Sequence, residues 1–443
     1  MTDRYSDVPF SPRKLPFFYG WAIVLFGTVG VLMTLPGQTN GFTAFVDSLM
    51  AALGMTRERI ALAYAVGTIG SSMLMPFAGR LYDRIGARYL APLACVGLGA
   101  AALWISASDR TAAVLGRLVG AEAATPVTTF GVIALGFFVA RLCGQGVLTL
   151  SCITMISEWF DRRRGLANGL RGVMMQAGMA MAVPLMLWMN RSFGWSCSYV
   201  VMAVVVGGTF SIVALLLFRN TPESCGLIPD GTPATAASAS RQIEAVHRSF
   251  TVGEALRTYT FWAFALPQVV FSSFMTGLMF NLVSVFEQAG LGERALTTAL
   301  LGSAWTGGAA MVLTGWVGDR IKLKYLLVVM VTSLAVSALA VALSRPEAMV
   351  PLVMVGNGIT AAMFAVVPAV AWPRFFGREH LGAISGAVVG MAVFASAIGP
   401  WLFGTTLEKA GSYIPVGWTC LGILVVLFLG AWWAESPQRR FAP

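Results

Sequence analysis

The sequence predicts an all-α integral membrane protein, with twelve transmembrane helices in two pseudo-symmetric six-helix bundles. Three observations predict it. The 443 residues are 57% hydrophobic and only 11% charged, against about 25% charged in soluble domains. Twelve stretches approach the roughly 20 apolar residues that a bilayer crossing requires. Landmarks of the first half also return in the second half at matching places.

In order, the predicted spans cover 17–45, 60–79, 89–107, 130–159, 166–189 and 197–218, then 260–286, 296–316, 325–343, 349–372, 382–406 and 413–433. The first is broken at Pro36-Gly37-Gln38-Thr39-Asn40, where freed backbone groups can face a cavity. The domains expected are a tail (1–16), a first bundle (17–218), a linker (219–258), a second bundle (259–434) and a short tail (435–443). The linker holds a low-complexity run, Thr232 to Ser240, and reads as flexible chain.

Residues 109–129, with Asp109, Arg110, Arg117, Glu122 and Pro126, are too polar for a span. The charge census supports leaving them out. With twelve spans, 20 of the 30 Lys and Arg residues fall on one side and 8 on the other, with Arg141 and Arg171 inside spans. The positive-inside rule then puts both termini and the linker in the cytoplasm. The 109–129 segment becomes an outside insertion carrying a short surface helix. The short loops and the lack of a transit feature point to a bacterial inner membrane.

Composition also excludes classes. The net charge of +10 lies in short clusters between apolar spans, which is a topology signal and not a nucleic-acid footprint. The six cysteines lack metal or redox spacing and read as apolar filler. The two histidines, His247 and His380, lie far apart in polar linkers. No clustered acid, thiol and imidazole set indicates an enzyme, and neither a cofactor nor a metal is expected. Monomer is the default.

The most informative residue is Arg141, about halfway along the fourth span. An arginine at the centre of a membrane helix costs about 2.5–3.5 kcal/mol on insertion scales, so it faces protein or water. Gln145 lies four residues on, on the same helical face. A guanidinium in a low-dielectric cavity favours a carboxylate. The alternative is a scaffold arginine that bonds carbonyls of a neighbouring helix. Further polar candidates within spans are Gln38, Thr39 and Asn40 at the first break, and Asn281, Trp305 and Asn357 in the second half. Each of these last three can equally serve packing between helices. Tyr64 reads as packing, and Arg171, near the basic edge, as a side chain that snorkels.

Two loop patterns repeat. Gly79, Leu81, Asp83, Arg84, Gly86 and Arg88 follow the second span, and Asp319, Arg320, Lys322 and Lys324 follow the eighth. Phe160 to Gly169 follows the fourth span, and Phe376 to Gly386 follows the tenth. Glycines allow tight turns at helix ends, an aspartate can accept from a helix N-terminus, and arginines can clamp helix C-termini. The pattern predicts a cytoplasmic gate built from Gly79, Asp83, Arg84, Gly86, Arg88, Glu158, Arg164, Asp319 and Arg320.

With these motifs in place, the chain resembles the major facilitator superfamily over nearly its whole length. The second-span loop and the fourth-span group Arg141, Gln145 and Gly146 resemble that family's signatures. Tyr19-Gly20-Trp21, Trp159 to Gly169 and Thr221 to Gly231 are similar to the bacterial monocarboxylate and oxalate/formate branch. The oxalate members carry basic residues in spans eight and eleven, whereas 296–316 and 382–406 have none here. A single arginine fits a monoanion. The resemblance implies a secondary transporter of a small organic anion, most simply a monocarboxylate, working by alternating access in the lipid bilayer with protons as the coupling ion. No acid stands near the middle of a span, so under proton coupling either the proton rides on the substrate acid or Arg141 changes partners as the substrate is neutralised. Anion exchange and export of amphiphilic, drug-like compounds stay open as alternatives.

Overall fold

The computed structural model describes residues 8–118, 125–231 and 246–441. Ten helices among these are long and apolar enough to cross a membrane. They are α2 (Arg57–Ile85), α3 (Ala87–Ser106), α4 (Pro126–Trp159), a continuous Arg164–Leu217 stretch, α7 (Tyr259–Phe280), α8 (Glu293–Gly318), α9 (Leu323–Leu343), α10 (Pro346–Phe376), α11 (Leu381–Ala410) and α12 (Ile414–Ala431). The Arg164–Leu217 stretch bends at Gly194, whose backbone is non-helical (φ 76°, ψ 166°). This divides it into α5 (164–193) and α6 (195–217), as the fifth and sixth predicted spans require.

The first predicted span is a short helix, α1 (Gly20–Leu32), of 13 residues. At 1.5 Å per residue that is about 20 Å, less than the hydrocarbon thickness. The chain completes its path through Leu35–Gly37, Thr39–Thr43 and Val46–Leu53. The break anticipated at Pro36 to Asn40 is therefore real. In the 109–129 region a helix occupies Ser108–Leu118, and α4 begins at Pro126. Glu122 lies outside the described residues, as do the run Thr232 to Ser240 and Arg241.

Local chemistry sets several helix starts. Thr56 caps α2 by accepting from Arg59 N. Thr125 and Thr128 form a capping box around α4, with Pro126 in its first turn. Thr258 caps α7 through Phe261 N. Each cap contributes about 1 kcal/mol.

Contacts divide the chain into two compact units. The first comprises 1–155, 177–227 and 385–390, and the second 156–176, 228–384 and 391–443. In the first, α2 and α3 pack on α4, and α3 packs on α6. The N-terminal segment ties onto this unit. The Val8 carbonyl accepts from Arg88 Nη2 (2.6 Å) and Arg219 Nη2 (2.9 Å), and Arg219 lies over the Phe10 ring. In the second unit α10 packs on α8 and α9, and α12 on α7 and α9. Gln438 holds its tail down, accepting from His247 N and Arg248 N and donating to the Phe375 carbonyl. The exposed residues of α8 and α12 include Leu301, Val312, Leu313, Val425 and Val426, an outward surface suited to lipid.

Candidate functional site

In the first unit, the fourth span departs from a plain α-helix where its chemistry lies. Residues Arg141–Leu148 form a π-helical stretch, and Thr149 N donates to the Gly144 carbonyl five residues back. Such wide turns are frequent at functional sites. The neighbouring packing suits the wider turn. Gly37, at the break after α1, lies so close that a Cβ there would stand 2.2 Å from the Ala140 carbonyl oxygen. Only glycine lets the two backbones meet at this point.

Arg141 is 3% exposed. Its Cζ lies 5.1 Å from the Tyr64 ring centroid, a cation–π contact. Its Nε and Nη1 have no hydrogen-bond partner among the described residues. The Tyr64 hydroxyl is 2.8 Å from Thr39 Oγ1. Tyr64, Phe42 and Phe137 form an aromatic cluster, with centroids 4.6–5.5 Å apart. Gln145 Oε1 is buried, also without a partner among the described residues. Gln38 Nε2 donates to Thr34 Oγ1. The side chain of Asn40 lies outside the described residues. Thus Thr39, Tyr64 and Arg141 are joined in one polar and aromatic group, and Gln145 belongs to the same π-helical stretch. A buried cation with unmet donors, walled by aromatics, is suited to an anion.

The second-unit candidates are not joined by a hydrogen bond among the described residues. Asn281 sits in the break between α7 and the helix Leu282–Gln288, donating to Gly277 O and accepting from Tyr413 Oη at 3.3 Å. Trp305 on α8 is 81% exposed, which rules out a core-filling role. Asn357 on α10 is 3% exposed, and neither its Nδ2 nor its Oδ1 has a partner among the described residues.

The gate residues separate by unit. In the first, α2 carries Asp83 and Arg84 in its last turn, half-buried and exposed. Gly86 ends the helix with φ 76°. Arg88 reaches the Val8 carbonyl from Nη2 (2.6 Å), and its backbone N–H donates to Asn220 Oδ1 (2.9 Å). Gly79 lies against Gly386, where a Cβ would be 3.0 Å from the Gly79 Cα.

In the second unit Asp319 sits at the start of α5. Its Oδ1 accepts from Gly165 N (2.7 Å) and its Oδ2 from Leu166 N (3.1 Å). Burial raises its carboxyl from the ordinary 3.8 to about 6, and the two N–H bonds and the nearby Arg374 and Arg164 pull the other way. The helices meet there at glycine: a Cβ on Gly165 would stand 2.4 Å from the Gly315 carbonyl oxygen. Arg164 is 2% exposed, donates from Nε to Ser157 O (2.8 Å) and pairs with Asp161 at 3.5 Å. The buried Glu158 offers its main-chain carbonyl to Arg378 Nη1 (2.7 Å). Arg320 lies 4.1 Å over the Trp316 ring.

Three roles escaped the sequence reading. Tyr64, taken as packing, is the ring on which Arg141 rests. Arg171 does not snorkel: it is 4% exposed, with Nη2 on the Ala365 carbonyl (2.8 Å) and Nε on Asn168 Oδ1 (3.3 Å). Asp230, in the linker, accepts from the N–H groups of Asp161, Arg162 and Arg163 at 2.8–3.1 Å. The Pro229-Asp230-Gly231 turn was the available signal, but nothing local says where its carboxylate goes.

Comparison with known proteins adds the lineage. A family model described as the Major Facilitator Superfamily matches residues 27–356. The hexuronate transporter of Escherichia coli K12 is 26% identical, over 57% of this chain and 53% of its own length. The oxalate:formate antiporter of Oxalobacter formigenes is 22% identical, over 66% of this chain and 62% of its own. The matches thus span a little over half of these relatives. The crystal structure of the Escherichia coli fucose:proton symporter superposes with a TM-score of 0.63 at 13% identity, covering 94% of this chain and 99% of that one, a likeness of fold. With the family model matching about three quarters of its residues, the chain belongs to the Major Facilitator Superfamily.

Proposed function

We propose that the protein is a secondary transporter that carries a small organic anion, a monocarboxylate, by alternating access between two six-helix bundles, coupled to protons. The observation that carries this reading is Arg141: buried in the first unit, stacked on Tyr64, with Nε and Nη1 donors left without a partner among the described residues. Leaving charged donors unmet costs several kcal/mol. A carboxylate would offset that cost with charge-assisted hydrogen bonds of about 1.5–3 kcal/mol each. The relatives support the same chemistry, since one is named for hexuronates and another for oxalate and formate. A hexuronate is itself a monocarboxylate with a polyol body, and Thr39, Gln38 and Gln145 supply hydroxyl and amide groups to meet one. Binding neutralises the cation, which removes the charge that opposes passage through the low-dielectric centre. Asp319 on the α5 N-terminus and the Gly165–Gly315 approach serve as a gate in this scheme, with the termini on the cytoplasmic side of a bacterial inner membrane.

The test is uptake into proteoliposomes of labelled lactate, formate, oxalate and glucuronate, with and without an inward proton gradient. Gradient-stimulated uptake of a monocarboxylate that is lost in Arg141→Ala is the expected result. Uptake that requires internal anion and ignores the gradient would replace symport with exchange. Folded protein that moves none of these acids, but moves lipophilic cations, would overturn the anion reading.

A further inference from the structure

In the first unit the helix Ser108–Leu118 follows the end of α3 and precedes the start of α4. It joins one span to the next, so it lies at a membrane surface. It packs mainly on α4, and also touches α3 and the helix Val46–Leu53.

The residues of this helix are sorted around its axis. At about 100° per residue, 3.6 to the turn, positions four apart share a side. Ser108, Ala112 and Gly116 share one side, and these are the residues the helix buries. Arg110 and Arg117 share the opposite side and are exposed. Two sides remain between these. One carries Val114, Leu115 and Leu118, all exposed, Leu118 at 77%. Thr111 falls on the same side, but its hydroxyl is spent within the chain, on the Ala107 carbonyl (2.9 Å). The other side carries Asp109, exposed and opposite the apolar arc.

This order is the reverse of that in a helix packed on a protein in water. Such a helix turns its large apolar side chains to the core and its polar ones out. Here small residues meet the protein and the large apolar ones are left outside. The adjoining ends of the spans are exposed and apolar too, with Leu103 in the last turn of α3 and Val127 in the first turn of α4 at 79%. An apolar arc edged by arginines matches the boundary between hydrocarbon and headgroups. There a guanidinium reaches phosphate while its stem covers apolar surface.

We infer that this helix lies in the membrane interface, with Val114, Leu115 and Leu118 among the acyl chains and Arg110 and Arg117 on the phosphates of anionic lipids. The bilayer is the partner because the helix joins the ends of two spans, and because its exposed basic edge carries the charge that anionic headgroups attract. The anchor sets the depth of α4, the helix that carries Arg141. It stands whether or not the cargo is a carboxylate.

Backbone hydrogen exchange of 108–118 would be read by mass spectrometry in the full-length, unmodified protein. It would be compared in nanodiscs of phosphatidylcholine and in nanodiscs that also contain phosphatidylglycerol. Exchange should be slower with phosphatidylglycerol, by about fivefold for each arginine, the scale of one basic side chain at an anionic surface. Arg110→Gln and Arg117→Gln, both at exposed positions, should each remove about fivefold of that difference. A second measurement attaches one nitroxide label at a time through Asp109→Cys, Val114→Cys or Leu118→Cys, in full-length protein whose native cysteines are replaced by alanine, in vesicles containing phosphatidylglycerol. Labels at 114 and 118 should collide mainly with oxygen, and the label at 109 with a water-soluble nickel chelate. Equal exchange in the two lipids would overturn the inference. So would nickel access at 114 and 118, which leaves the arc in water, or exclusion of both reagents there, which puts another protein chain on it.

Discussion

Arg141 and Arg171 both lie buried inside predicted spans, and they spend their charge differently. Arg171 and Arg141 are 4% and 3% exposed, so their desolvation is alike. Arg171 gives Nη2 to the Ala365 carbonyl and Nε to Asn168, so its donors tie α5 to α10 within the second unit. Arg141 leaves Nε and Nη1 without a partner among the described residues and rests on Tyr64, in a helix that widens into a π turn around it. Equal burial thus carries no functional meaning by itself. What separates a structural arginine from a ligand-seeking one is the accounting of its donors, because an unmet charged donor is a standing cost that only a partner removes.

The sharpest way to break the comparison is to remove each guanidinium and read both transport and stability. Arg141→Ala should lower uptake of the transported anion by about 100-fold, the loss of two charge-assisted bonds. Arg141→Met should leave the unfolding temperature in detergent unchanged or raised, since it removes an uncompensated charge. Arg171→Met should do the reverse in stability, lowering it by about 1–3 kcal/mol by leaving the Ala365 carbonyl and Asn168 unpaired. A destabilised Arg141→Met beside an unaffected Arg171→Met would invert the two roles.

Tyr64 sharpens the first half of the contrast. Tyr64→Leu removes the cation–π contact and the bond to Thr39, and should raise the half-saturating substrate concentration by about tenfold, with less effect on maximal rate. An unchanged value would mean that Arg141 is held by something other than this ring.

The smallest effect concerns Asp319, which shows the cost of a buried charge from the anionic side. Its folded carboxyl titrates at about 6, above the ordinary 3.8. The folded state therefore holds the proton more tightly than the unfolded state. The contribution of this group to stability is fully present below pH 3.8 and is lost as pH rises through about 6. Asp319→Asn should flatten that part of the stability profile, measured by thermal unfolding between pH 4 and pH 7. A profile that keeps its slope would assign it to another group.

Much of the fold was legible because it follows from solvent alone. In hydrocarbon each backbone must satisfy itself, so apolar runs of the right length become helices, and α2 to α12 fall where hydropathy put them. The Pro36 to Asn40 break was equally legible, because proline and glycine act locally. The site was legible only in part. Arg141 announced itself by its cost, and Gln145 by its spacing. Tyr64 did not, since an aromatic in an apolar helix carries no sign of which charge lies above its face.

The sequence by itself determined the class, the number and order of spans, the repeated loop signatures and the one arginine that a membrane helix should not carry without reason. These rest on composition and on periods of a few residues. Tertiary structure alone decided that Arg171 has donors on Ala365 and Asn168 while Arg141 keeps Nε and Nη1 without a partner among the described residues, that Asp319 and Asp230 both serve the start of α5, and that six arginines line one cavity. The long-range bonds behind those facts join residues 67 to 220 positions apart in the chain. Hydrogen bonding and Coulomb attraction act over a few ångströms of space, whatever the distance along the sequence.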